Sequence, residues 1–513
     1  MMVWRDLNLE NNIKNLKPEK VFKFFSEICQ IPHGSGNLKG VINYLVKFAT
    51  ERNLNYFVDD ANNVIIKKDS EIGEPIILQA HMDMVCVKES TMNIDMAHDP
   101  LNIYVDGNYL KAKGTSLGAD DGIGVAMILA ILDDNDNSYP PIETLFTSDE
   151  ETGMNGAIGI DGSLFKGKKL INIDSEDEGV LTVSCCGGSH IESEFNIKKL
   201  DVNNKNNDNI SNGYKIFDVK ISGLLGGHSG MEIHKGRANA IVEMAYVLKR
   251  LNDEKIDYYL ISINGGQFEN VICQEVVASI YVNNENVEKM NLILSEINKE
   301  LKEEYFLTDK NISLTALQEN ELTNNFNEEK EVIDNNLKLI DKDYTFNLIE
   351  AIISLPTGLI EISQEFNNLP WTSLNHGVIK TESEKIKIIT FARSNDDIKK
   401  KKLVEKFKII INKFEGRVIV DGEYPAWQYN KKSNLIAEMK SIYKDLYGKE
   451  MKVLATHGGL ECGLFIEKIK GLDAVSIGPT IENVHSVDEK LHIDTVSDVY
   501  NLLKKVLMKQ IQD

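Results

Sequence analysis

Five short clusters of histidine and acidic residues mark this chain: His81-Met-Asp83, Asp120-Asp121, Asp149-Glu150-Glu151, Asp174 within Asn172-Ile-Asp-Ser-Glu176, and His485 within Asn483-Val-His-Ser486. Each lies at the end of a predicted strand. Singly they are ordinary. A histidine at a strand end is most often a structural hydrogen-bonding group, and Asp120 and Asp121 stand where they would cap a helix starting at Gly122. Together they say more. Carboxylates crowded at the ends of buried strands are costly unless something neutralises them. Two histidines and three carboxylates suit two Zn²⁺ ions with one carboxylate bridging, and Mn²⁺ or Co²⁺ would suit the same N/O set. The His-x-Asp spacing brings Asp83 within reach of the second ring nitrogen of His81, where it would fix the tautomer. Glu150 and Glu151 point in different directions, so one is offered as a ligand and its neighbour as a base.

The elements that must position these groups read as follows. Residues 20–29 and 38–51 have helical apolar spacing. Residues 74–80 form a nearly continuous apolar run, the pattern of a buried strand, that ends at His81. Residues 142–147 and 169–173 are similar runs ending in acidic residues, and 122–133 is an apolar helix after a Gly-rich turn. Polar residues just past several strand ends are where open α/β sheets place their sites. The middle of the chain differs. Residues 201–213 hold six asparagines and read as a solvated loop. Strands are predicted at 214–222, 276–282 and 386–392, helices at 236–251, 285–304 and 396–414, and 318–343 is polar and acidic. This is α+β texture with antiparallel character. Helix–strand alternation resumes near residue 433 and ends in a helix at 496–510. The economical reading is one α/β domain interrupted by an inserted α+β domain, since insertion at a surface loop is physically cheap.

Composition narrows the function classes. Of 513 residues, 57 are Lys or Arg and 79 are Asp or Glu, a net charge of −22. That surplus argues against a nucleic-acid or anionic-membrane partner. No run approaches the ~18 apolar residues of a membrane-spanning helix. Residues 1–10 lack a basic start followed by an apolar core, so no secretory signal is expected. Six cysteines without a CxxC pair fit neither a disulfide scaffold nor a thiolate zinc site. Cys185 and Cys186 read as small strand residues, and a reducing cytoplasm fits best.

The motifs resemble those of the M20 family of di-zinc peptidases, and most closely its aminoacyl-histidine dipeptidase branch. The resemblance is carried by Leu78-Gln-Ala-His-Met-Asp-Met-Val85, Gly114-Thr-Ser-Leu-Gly-Ala-Asp-Asp-Gly-Ile-Gly124, Phe146-Thr-Ser-Asp-Glu-Glu-Thr-Gly153, Ile171-Asn-Ile-Asp-Ser-Glu176, Gly226-Gly-His-Ser-Gly230, Thr372-Ser-Leu-Asn375, His457-Gly-Gly-Leu-Glu-Cys-Gly463 and Ile477-Gly-Pro479 with His485. It implies a zinc-peptidase-like α/β catalytic domain with a central mixed sheet flanked by helices, in residues 1–186 and 425–513. An α+β lid or dimerisation domain, residues 187–424, would interrupt it. His81 and Asp174 would bind one Zn²⁺, Glu151 and His485 the other, and Asp120 would bridge. Asp83 would orient His81, and Glu150 would be the general base for a metal-activated water. His228 would hold the developing oxyanion. Asn270 and Arg393 would hold the substrate backbone and its C-terminal carboxylate, as the guanidinium fork suits. The implied reaction is dipeptide hydrolysis by a cytoplasmic homodimer. An aminoacylase, carboxypeptidase or tripeptidase would use the same site chemistry on another amide. The chain has Asn270-Val-Ile-Cys where the family often has Asn-Ala-Ile-Pro, and the resemblance gives His457 no role.

Overall fold

The structure, a computed structural model, describes residues 13, 15–134, 138–201, 213–318 and 337–510. The asparagine-rich loop expected after Asp201, most of the acidic 318–343 segment and the first ten residues lie outside them. The chain forms two units, one comprising Met1–Cys185, Trp427–Ala455 and Leu460–Asp513, the other Cys186–Ala426 and Thr456–Gly459. The fold is mixed α/β.

The first unit is built on an eight-stranded sheet. Its centre holds four parallel strands in the order Ile142–Thr147, Ile76–His81, Lys169–Asn172 and Asp473–Ser476. The first two are buried along their whole length, which explains their unbroken apolar character. Helix Ala119–Leu132 packs between the Ile76–His81 strand and helix Glu19–Ile28. Every residue of it except Asp120 is buried, so it carries no polar face. Glycine is required at Gly124, because a Cβ there would lie 2.2 Å from Asp121 Oδ1 and 2.8 Å from the Ile173 carbonyl. Because the four central strands run in parallel, their carboxyl ends lie together; His81 ends one of them, and Ser148–Glu151 and Asp174 follow two others.

A separate antiparallel sheet orders Ile481–Glu482, Lys490–His492, Tyr109–Ala112 and Ile103–Asp106. It holds the turn carrying His485 beside the loop that leads into Asp120. Asn483 and His485 both have positive φ, 56° and 59°, which tightens that turn.

The second unit is an eleven-stranded, antiparallel sheet covered by helices Ala240–Asp253, Val287–Glu304, Lys342–Ser354 and Asp397–Lys413. Its longest strand, Pro370–Thr381, pairs directly with Lys385–Ser394, and the two bear the Thr372–Asn375 motif and Arg393. The helix expected from Gly236 starts instead at Ala240, capped by the Asn239 side chain. Gly236 has φ 67° and ends a short 3₁₀ turn, which breaks the helical run before it. Among the described residues no helix is long and apolar enough to cross a membrane.

Candidate active site

Seven residues from the five clusters converge in the first unit. His81 ends its strand and is 1% exposed. Its Nε2 lies 3.0 Å from Asp120 Oδ1 and 3.5 Å from Asp174 Oδ1. His485 mirrors this arrangement, with Nε2 3.2 Å from Asp120 Oδ2 and 2.9 Å from Glu151 Oε1. The two oxygens of Asp120 therefore face different histidines, and each histidine nitrogen faces one further carboxylate.

Asp83 holds more than the His81 ring. The ring Nδ1 is 3.0 Å from the Asp83 carbonyl and 3.6 Å from its carboxylate. The carboxylate accepts the Glu150 amide at 3.0 Å, the Glu151 amide at 3.3 Å and the Ser35 hydroxyl at 2.7 Å. One buried anion thus orients the His81 ring and the Glu150–Glu151 turn together. Asp149, at φ 50°, closes that turn by accepting the Gly36 amide at 2.6 Å.

Asp120 is positioned by a residue that the sequence reading did not single out. Glu489, 3% exposed, accepts the amides of Leu117 at 2.7 Å, Gly118 at 3.0 Å, Ala119 at 2.8 Å and Asp120 at 3.4 Å. It does the capping work expected of Asp120 and Asp121, whose angles are not helical and whose connecting peptide is cis. Released from capping, Asp120 points to the histidines, while Asp121 Oδ2 accepts the His81 amide at 3.2 Å. Glu489→Gln would set an NH₂ against amide donors and loosen the loop. It is expected to weaken divalent-metal affinity by roughly tenfold to a hundredfold, the usual cost of losing such support. Competition with a chromophoric chelator measures this, and unchanged affinity would refute the positioning role.

The carboxylates of the site crowd one buried space. Burial pushes the Asp174 carboxyl up to about 6, with Asp120 and Glu151 adding and His81 opposing. Burial likewise raises Glu150 well above the carboxylate range and takes Glu176 up to about 8. Burial would depress His485, but Asp120 and Glu151 outweigh it and push the ring up to about 11. Ligand atoms of His81, Asp121 and Asp174, of His81, Glu150 and Glu151, and of Asp120, Glu151 and His485 form three groups, each within 4.8 Å. Nitrogen and carboxylate donors at these separations fit two divalent cations.

Behind the centre, Glu461 is fully buried and accepts from Gln79 Nε2 at 2.6 Å and Thr147 Oγ1 at 2.7 Å. Burial pushes its carboxyl up to about 8. Glu461 falls within the His457–Gly463 motif, whereas Ser35 and Glu489 carry no local signal, because each acts through partners far along the chain.

The other three predicted residues lie in the second unit. His228 Nδ1 accepts the amides of Gly230 at 3.2 Å and Met231 at 3.0 Å, so the ring proton sits on Nε2. The His228 segment pairs with the Asn270 segment through an isolated bridge to Val271 and a Ser229 amide to Asn270 carbonyl bond of 2.8 Å. Asn375 clasps that segment on both sides, donating to the Glu269 and Val271 carbonyls at 2.9 Å each, and leaves the Asn270 side chain exposed. Arg393 is 5% exposed and stacks on Phe391, its guanidinium carbon 4.6 Å from the ring centre.

Residues 77–509 match the model of the peptidase family M20/M25/M40. The chain belongs to the M20 peptidase family. It is 33% identical over 501 residues to the cytosol non-specific dipeptidase of Escherichia coli (strain K12), covering 97% of this chain and 99% of the relative. The crystal structure of aminoacylhistidine dipeptidase from Vibrio alginolyticus superposes with a TM-score of 0.79 at 33% identity, covering 97% of this chain and 98% of that one. An aminopeptidase PepT from Bacillus cereus shares the fold at 15% identity, with a TM-score of 0.55 over 97% of this chain and all of that one. This M20 chain is therefore a metallopeptidase.

Proposed function

We propose that this M20 peptidase hydrolyses dipeptides, Xaa-His and others, with Zn²⁺ as its metal. The observation that carries the reading is Asp120. Its oxygens lie 3.0 Å and 3.2 Å from two different histidine nitrogens, each of which meets a second carboxylate, Asp174 or Glu151. This supports two cation positions sharing one carboxylate: His81 and Asp174 would hold one, His485 and Glu151 the other, and Asp120 would serve both. When bound, such a pair lowers the pKa of water towards ~7 and polarises a carbonyl.

The chain's own residues do the rest. Asp83 keeps His81 and the Glu150–Glu151 turn in register. Glu150 takes the proton of the attacking water and delivers it to the leaving amine. His228, with its proton on Nε2, donates to the developing oxyanion. Asn270 holds the substrate backbone and Arg393 its C-terminal carboxylate. The second unit is read as the lid or dimerisation domain of a homodimer, and the name of the Escherichia coli relative supports a cytoplasmic site of action.

The test is metal analysis joined to a substrate panel. Purified protein is expected to hold about two metal ions per chain and to cleave Xaa-His and simple dipeptides. A chelator should abolish turnover, and Zn²⁺ should restore it. Faster cleavage of N-acyl amino acids or tripeptides would assign the site to an aminoacylase or tripeptidase instead.

A further inference from the structure

His457 has no part in the centre just described, yet it is 1% exposed and both ring nitrogens are engaged. Nε2 lies 2.8 Å from Ser373 Oγ and Nδ1 3.0 Å from Asn395 Oδ1. The proton positions follow from the neighbours. Asn395 Nδ2 donates to the Thr456 carbonyl at 2.9 Å, so the amide oxygen faces the ring. Nδ1 therefore carries the proton, and Nε2 accepts from the Ser373 hydroxyl. Burial first, and then the nearby charge of Arg393, pushes the imidazole down to about 3, so it stays neutral.

Both partners flank Arg393. Ser373 is its direct cross-strand neighbour, so the two side chains share a face of the sheet. Asn395 lies two residues further along. A second route runs through Cys186, whose thiol donates to the His457 carbonyl at 3.0 Å and sits 3.8 Å from Arg393 Nη1. The guanidinium reaches the Tyr424 hydroxyl at 3.4 Å, but its Nε is buried without a hydrogen-bond partner. Among the described residues the contacts of this cation are a thiol, a phenol and an aromatic face; the Glu269 carboxylate acts on it only from beyond ion-pair distance. A buried guanidinium in such surroundings is set for an anion that comes from outside.

We propose that His457 is a positioning residue for Arg393: its neutral ring, clasped between Ser373 and Asn395, sets the guanidinium to receive the C-terminal carboxylate of the substrate. This rests on the reading of Arg393 as the carboxylate clamp. The residue type is physically apt. A rigid ring offers one donor and one acceptor at opposite ends without charge. A lysine or arginine here would repel Arg393, and an acid would occupy the place meant for the substrate's carboxylate.

The test compares a dipeptide with the same dipeptide amidated at its C-terminus, on wild type, R393A, S373A, H457N and the S373A/H457N pair. H457N keeps a donor towards Asn395 and loses the acceptor for Ser373. S373A removes a single hydroxyl, so it keeps the experiment readable if the histidine variant misfolds. Thermal unfolding reports on folding. Wild type should prefer the free acid, and R393A should lose that preference. S373A and H457N should each raise KM for the free acid by about tenfold, leave kcat within about twofold and leave the amide unaffected. The double variant should match H457N, because both changes break one link. If R393A loses the preference while S373A and H457N keep it, the positioning role is wrong and the clamp stands. If wild type does not distinguish acid from amide, the clamp and the positioning role fall together.

Discussion

Glu150→Gln is expected to lower kcat by about a thousandfold while leaving metal content unchanged, which is the size of effect a positioned general base supplies. The amide has nearly the same volume and keeps the backbone bond from Glu150 to Asp83, 3.0 Å in the native chain. What it loses is the ability to accept and return a proton. None of His81, Asp120, Glu151, Asp174 or His485 is altered, so metal should bind as before. Glu151→Gln makes the informative contrast. Its Oε1 sits 2.9 Å from His485 Nε2, in the position of a ligand and not of a base. That variant should lose metal as well as turnover. Elemental analysis beside single-turnover kinetics separates the two cases. A Glu150→Gln enzyme within tenfold of wild-type kcat would remove Glu150 from the role of base, and a metal-free one would make it a ligand.

The framework was readable in the sequence where side-chain pattern alone sets structure. Residues 142–147 and 214–222 were predicted as strands, and the structure has Ile142–Thr147 and Tyr214–Ser222. The acidic clusters were found because parallel strands deliver their carboxyl ends to one edge, so polar residues just past apolar runs converge. Support for those clusters was not readable. Asp83 was expected to serve the His81 ring, and what the spacing did not show is that its carboxylate also accepts from Ser35 and from two backbone amides. Backbone amides carry no residue signature, so no spacing rule would show it. Glu489 caps the Ala119 amide from 370 residues away. Thr456–Gly459 groups with the second unit although its neighbours on both sides belong to the first. Four residues are too short a span for any periodicity to register. His457 accordingly has no legible role until Ser373 and Asn395 are seen on either side of it.

Asp120→Ala should remove both metal positions at once, whereas Asp174→Ala should remove one. Among the described residues Asp120 is the one carboxylate whose two oxygens face two histidines, at 3.0 Å and 3.2 Å, while Asp174 approaches His81 alone, at 3.5 Å. Metal content is therefore expected to fall from about two ions per chain to near zero in the first variant and to about one in the second. Turnover should fall by more than about a thousandfold in both, so activity alone would not tell them apart. Thermal unfolding does. A ligand at a hundred times its Kd stabilises the folded state by about 2.7 kcal/mol per site. Zn²⁺ should raise the Tm of wild type most, of Asp174→Ala less, and of Asp120→Ala hardly at all. Equal Zn²⁺ shifts for the two variants would mean that Asp120 serves a single cation. The second histidine would then be a neighbour of the centre and not part of it.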